Sequence, residues 1–248
     1  LMAGHSKWAN IRFRKAAVDA KRGKLFTKLI REITVSARSG GGDPASNPRL
    51  RSAIDKALAS NMSRDTVERA VKRGTGELEG VEYEEVRYEG YAMGGAAVLV
   101  ECTTDNRNRT VSEVRHVLSK YGGNLGTDGS VAYLFVKTGV FGFDSKTDEE
   151  AVMEVAVSAG AEDVEIGDDG SIEVTTEPSN FEGVSDAFSV AGLQPEVSEV
   201  IQRPTSDCPL SLQDSEKFLE LVDALQELDD VQDVFTNASF PEEMQPIS

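Results

Sequence analysis

Apolar and polar positions change their period several times along the chain. From Lys24 to Arg38 the period is helical. At about 100° per residue, Leu25, Phe26, Leu29, Ile30, Ile33 and Ala37 fall on one side, and Lys21, Lys24, Lys28, Arg31 and Arg38 on the other, with Arg22 the exception on the apolar side. One face predicts a core and the other a row of cations. Gly23 marks where a basic arm gives way to the helix, and Ser39-Gly40-Gly41-Gly42-Asp43-Pro44 reads as a loop. Asn47 can cap a second helix with Pro48 at its first position, followed by Leu50, Ala53, Ile54, Ala57 and Leu58 at helical spacing. Ser63 caps a third helix carrying Val67, Ala70 and Val71, and Gly74 is expected to end it.

After Gly80 the pattern predicts strands over 83–91 and 95–103 around a Gly94-Gly95 turn. Thr110-Val111-Ser112-Glu113 has the form of a capping box, opening a helix that Gly122-Gly123 stops, and Ser130 to Val136 reads as a third strand. Residues 139–203 then run strand, helix, strand, strand, helix, strand. The markers are Val140-Phe141-Gly142-Phe143, a cap at Thr147, a Gly167-Asp168-Asp169-Gly170 hairpin, Pro178 and the strand Val197 to Ile201. That is the order of a ferredoxin-like unit. An amphipathic helix over 211–228 and a strand at Val231 to Phe235 are too little to bury themselves, so they are expected to pair back with the middle of the chain. The whole predicts an α+β protein of three domains. These are a basic helical domain with an arm (1–79), a discontinuous α+β domain (80–137 plus 204–240), and a ferredoxin-like domain (138–203) inserted into the second.

Charge changes the picture more than composition does. The chain of 248 residues has a net charge of −17, yet residues 1–74 hold 17 Lys+Arg and 6 Asp+Glu, while residues 75–248 hold 9 and 37. Such segregation fits either a basic head resting on an acidic body, or a phosphate-binding surface on a body that is kept off the polyanion. The second is the reading favoured here.

The arm Gly4-His5-Ser6-Lys7-Trp8-Ala9-Asn10-Ile11-Arg12-Phe13-Arg14-Lys15 interleaves cations with two aromatics. Cations neutralise phosphates and release counterions; flat rings stack on unpaired bases or anchor the arm on the protein. The candidate nucleic-acid contacts are Lys7, Trp8, Arg12, Arg14, Lys15, Lys21, Arg22, Lys24, Lys28 and Arg31. Arg107 and Arg109 join them from Asp105-Asn106-Arg107-Asn108-Arg109-Thr110, which lies between a strand and a helix start. Cations there oppose the helix dipole, so they call for an anion or for carboxylates of the body.

Chemistry of other kinds has little support. There is no GxGxxG, Walker or GxSxG pattern, and His5 and His116 stand far apart with no obvious Ser or Cys partner. Cys102 and Cys208 have no metal-ligand spacing. The chain is expected to be no enzyme and to need no cofactor or metal. An enzyme binding a phosphorylated small molecule near Arg107 and Arg109 is the remote alternative. The longest apolar run, around Ala96 to Val100, is far short of the ~18 residues that span a bilayer. Leu1 precedes Met2, which reads as the natural start, and no secretory h-region follows it. The basic arm faintly resembles a transit peptide but runs straight into the helical domain, so a cytoplasmic location without membrane contact is expected. The acidic body could also serve a protein partner; oligomeric state is not legible.

Met2-Ala3-Gly4-His5-Ser6-Lys7-Trp8-Ala9-Asn10-Ile11, Lys21-Arg22-Gly23-Lys24 with Phe26 to Ile33, Thr103 to Thr110 and Gly122-Gly123-Asn124 together resemble the YebC family over essentially the whole chain. Arg12-Phe13, Ser63 and Ala92-Met93 depart from the usual pattern without threatening the fold. The resemblance implies a helical domain and two α+β domains around a cleft. It also implies a DNA-binding transcriptional regulator of the cytoplasm, with ribosome-associated translation factors among the relatives. DNA and ribosomal RNA are both implied partners.

Overall fold

The computed structural model describes residues 22–241 and 244. Helix α1 (Arg22–Gly40) packs its apolar stripe against α2 (Pro48–Ala59) and α3 (Arg64–Thr75). Leu29, Ile33 and Ala37 meet Leu50, Ala53, Ala57, Met62, Val67 and Ala70 in one core. The capping signals hold: Asn47 accepts from the Leu50 amide and Ser63 from the Thr66 amide. Gly74 does not end its helix. The left-handed Gly76 does, and Gly74 lies buried inside α3 where α1 crosses it. A Cβ at Gly74 would stand 2.3 Å from the Thr34 carbonyl oxygen and 2.7 Å from Ala37 Cβ, so only glycine lets the two helices approach this closely.

Strands β1 (Glu84–Tyr91) and β2 (Ala97–Thr104) are antiparallel, joined by a tight turn at Met93–Gly95. Helix α4 (Arg107–Lys120) follows and packs on them through Thr110, Val114, Val117 and Leu118. It starts earlier than a capping box at Thr110 predicts. Asn106 is the cap and accepts from the Arg109 amide, which leaves Thr110 inside the helix and its hydroxyl buried. The third strand of this sheet is the short β3 (Asn124–Leu125), not Ser130 to Val136. The reason is Glu89: its carboxylate is almost fully buried and accepts from the amides of Gly129, Val131 and Ala132, which ties residues 129–132 into a loop. Burial would raise this carboxyl, but the three amides outweigh it and hold it below the usual range. Its stabilising effect is therefore present above the unfolded pKa and lost as pH falls through the lower folded one. Replacing Glu89 by Ala leaves three backbone donors unmet and should cost about 3 kcal/mol or more in urea unfolding. A loss below about 0.5 kcal/mol would mean that the loop is held by something else.

Helix α7 (Leu212–Gln226) and strand β9 (Val231–Thr236) return to this sheet, whose order is β3-β1-β2-β9. The described chain as far as Ala132 and Gln213–Thr236 make one compact unit. Tyr133–Leu212 and the described chain from Asn237 make the other.

In the second unit, β4 (Phe135–Phe143) is one continuous strand, where the sequence pattern suggests two. With α5 (Glu149–Ser158), β5 (Asp163–Ile166), β6 (Ile172–Thr176), α6 (Phe181–Val190) and β7 (Val197–Pro204) it forms an antiparallel sheet of order β5-β6-β4-β7. This is the ferredoxin-like topology, with both helices on one face, Val152 and Phe188 joining Phe141, Phe143 and Val174 in one core. Phe141 stacks on Phe181 with centroids 4.8 Å apart. Asp148, not Thr147, caps α5. The pair β8 (Cys208–Pro209) and β10 (Ala238–Ser239) completes the unit. No described helix is long and apolar enough to cross a membrane.

Candidate nucleic-acid interface

The described cations of the α1 row are engaged by the protein, although Lys24 stays part-exposed and Arg38 exposed. Lys24 donates to the Glu227 carbonyl and lies 3.1 Å from its carboxylate; Lys28 donates to the Gln226 carbonyl at 3.1 Å. These carbonyls stand at the C-terminal end of α7, which has no intrahelical donors of its own and the negative end of the dipole. Two lysines from another helix supply both the donors and the positive charge. Burial lowers the Lys28 pKa, and Asp233 and Glu227 partly offset this. Arg31 goes deeper, to the Thr103 carbonyl at 3.0 Å and the Asp230 carboxylate at 2.8 Å, its guanidinium 5.2 Å from the centre of the Tyr83 ring. The row is thus the surface by which the helices dock on the sheet domain. A sequence signal for this exists: Val35 falls among the cations on the same wheel and is buried.

The segment Thr103 to Thr110 serves the same junction. Asp230, the residue before β9, is its centre and was not singled out from sequence. Its side chain is 2% exposed. Arg109 reaches it at 2.8 Å, Thr110 Oγ1 at 2.7 Å and Thr104 Oγ1 at 3.2 Å. Thr110 and Thr104 lie 2.7 Å apart, and Thr104 Oγ1 accepts from the Asn106 amide. Arg109 also reaches Asp105 at 2.7 Å. Burial would raise the Asp230 carboxyl; bonds from Arg109, Thr110 and Arg31 outweigh that and hold it below the usual range. Those bonds raise Arg109 further above neutrality. Of the two alternatives for Arg109, an external anion or the body's own carboxylates, the geometry gives the second. Arg107 is freer: it is 64% exposed and 3.7 Å from Glu84. Cys102, beside this cluster, is pushed up to about 12 by burial, the reverse of a reactive thiol.

Other cations of the bundle are also engaged. Arg49 bridges Glu32 and Glu85, Arg38 donates to the Tyr83 carbonyl, and Arg69 and Lys72 pair one turn back with Asp65 and Glu68. Lys56, Arg64 and Arg73 make no ion pair among the described residues, and Arg64 and Arg73 stand exposed on α3. Lys7, Trp8, Arg12, Arg14, Lys15 and Lys21 lie outside the described residues, as does the side chain of Arg22. Among the described residues no group of His, Cys, Asp and Glu could hold a metal ion.

Fold and site together define an α+β protein in which a basic three-helix bundle is bolted to an acidic sheet domain, and a ferredoxin-like domain is inserted into the latter. Comparison with known proteins narrows the class. Residues 6–77 match the TACO1/YebC protein N-terminal domain, and residues 83–238 match the TACO1/YebC second and third domain. The chain is 62% identical to a probable transcriptional regulatory protein of Nitrosococcus oceani over 98% of both chains. It is 63% identical to a similarly named protein of Thioalkalivibrio sulfidiphilus, again over 98% of each. The crystal structure of a conserved hypothetical protein from Aquifex aeolicus is similar with a TM-score of 0.81 and 48% identity, covering 92% of this chain and 94% of that one. The chain belongs to the TACO1/YebC family.

Proposed function

We propose that the protein regulates gene expression by binding nucleic acid, chiefly through phosphate contacts of its N-terminal arm, and that it is not an enzyme. The observation that carries this is the crowding of cations in the arm, set beside the engagement of the bundle's inner cations. The inner cations of the bundle are spent on docking or on local pairs. Lys7, Arg12, Arg14 and Lys15 crowd into nine residues that hold no carboxylate. Lys56, Arg64, Arg73 and Arg107 add exposed or unpaired charge beyond the arm. The acidic remainder repels a polyanion, which favours contact through these cations. Duplex DNA is the first partner, in keeping with the transcriptional name of the relatives. Among the described residues no helix presents base-reading side chains in a helix-turn-helix arrangement, so sequence specificity should be modest. Ribosomal RNA is the second reading, favoured by Trp8 and Phe13 between the cations, since rings suit unstacked bases.

Lys24, Lys28 and Arg31 are unsuitable probes, because their loss loosens the fold. The arm is the clean target. A K7Q/R12Q/R14Q/K15Q variant should make the log–log salt slope shallower by about 3 to 4 on duplex DNA. Wild-type slope and affinity in the folded variant would remove the arm from the interface. Much tighter binding to ribosomal RNA than to promoter DNA at physiological salt would select the second reading.

A further inference from the structure

The ferredoxin-like sheet carries its two helices on one face, and an antiparallel sheet so covered ordinarily gives its other face to water. Here it does not. Register places Val140 and Gly142 of β4 beside Glu173 and Thr175 of β6 and Val197 and Glu199 of β7, on the side away from Phe141, Phe143 and Val174. Val140 is fully buried, and Glu173, Thr175 and Val197 nearly so. The burial is local, since Val136 on the same face is 54% exposed. Gly142 lies on one rung between Glu173 and Val197 and presents no side chain, which leaves a groove there.

The same face is acidic. Asp163 and Glu165 of β5 join Glu173 and Glu199. Its strands supply one cation, Arg203, 2.7 Å from Glu173 and 3.6 Å from Glu165. Buried carboxylates are costly unless positive charge meets them. A segment that suits this face therefore brings cations for the carboxylates and apolar groups for Val140, Val197 and Ile201. Of the chain outside the described residues, Glu242, Glu243 and residues 245–248 bring acid and no cation. The 21 residues before Arg22 bring Lys7, Arg12, Arg14, Lys15 and Lys21 against Asp19, with Trp8, Ile11 and Phe13 among them. Fully extended they span about 70 Å, several times the width of a four-stranded sheet.

We propose that this face is the seat of the chain's own N-terminal arm, its carboxylates holding the arm's cations, so that nucleic acid must draw the arm away before it binds. The seat stands on the sheet itself; the competition rests on the nucleic-acid reading above.

Trp8 is the one tryptophan of the chain, so its fluorescence reports on the arm alone. Acrylamide quenching of the full-length protein should find Trp8 shielded, several-fold less quenched than in the urea-unfolded chain. E165Q/E199Q spares the buried Glu173–Arg203 pair and should raise quenching toward the unfolded value, as should E173Q. If E173Q unfolds the domain, E165Q/E199Q carries the decision. E154Q/D186N removes two exposed carboxylates from the helix side of the same domain and should stay at wild type. Trp8 as accessible in the folded wild type as in the unfolded chain would overturn the seat. So would shielding that survives E165Q/E199Q, or that E154Q/D186N lifts equally. Anisotropy with duplex DNA tests the competition. Where the seat is occupied nine-tenths of the time, E165Q/E199Q should bind about tenfold more tightly than E154Q/D186N, which has the same net charge. Equal affinities overturn the competition and leave the seat standing. Absence of DNA binding in every variant overturns the nucleic-acid reading instead.

Discussion

Asp230→Ala is expected to destabilise the unit that holds the helices and the first sheet by about 3–5 kcal/mol, since it leaves the buried Arg31 guanidinium with no counter-charge and Arg109 with Asp105 alone. Arg31 and Arg109 come from different parts of the chain and meet only at this carboxylate. The loss should concentrate at α1, so hydrogen exchange of the α1 amides should rise more than that of the β1–β2 pair. Asp230→Asn should fare little better, because its amide nitrogen would turn donors toward donors. The same carboxylate makes the junction acid-sensitive. Its pKa is depressed in the folded state. Its contribution is therefore whole above the unfolded value, near 3.9, and disappears as pH falls through the lower folded value. Urea unfolding at neutral pH that leaves Asp230→Ala within about 1 kcal/mol of wild type would show that the cluster does not hold the helices.

Gly74→Ala should also destabilise, against the ordinary sign of that exchange. In a helix interior, alanine is about 1 kcal/mol better than glycine. Here the added methyl would stand 2.3 Å from a backbone oxygen of α1, which cannot turn aside as a side chain could. The helices must separate, and a cost of about 2–3 kcal/mol is expected. Thermal unfolding checks this: a lowered Tm confirms the close crossing, and a raised one contradicts it.

The elements that were legible in the sequence are those whose cause is local. Helical period gave α1 to α3, cap residues gave the starts at Asn47 and Ser63, and the alternation of residues 139–203 gave the ferredoxin-like order. What was not legible depends on partners distant in the chain. The cations of α1 look like a solvent face because the α7 carbonyls and Asp230, about 200 residues away, cannot be seen beside them. Thr110 resembles a cap residue until Asn106 takes that role and Asp230 takes its hydroxyl. Residues 130–134 read as part of the strand that starts only at Phe135, because Glu89, which ties up three amides of that loop, is one acid among many. Lys7, Trp8, Arg12, Arg14, Lys15 and Lys21 stay on the strength of the charge pattern alone, outside the described residues.

The central claim is that this acidic chain binds nucleic acid through the cations of its N-terminal segment, and equilibrium binding of the wild-type chain to duplex DNA and to ribosomal RNA over a salt series tests it most directly. The account predicts binding at low salt to at least one of them, with log K falling by about 4 or more per decade of salt, as four or more phosphate contacts require. Absence of binding at about 50 mM salt, or a slope near zero, would contradict it.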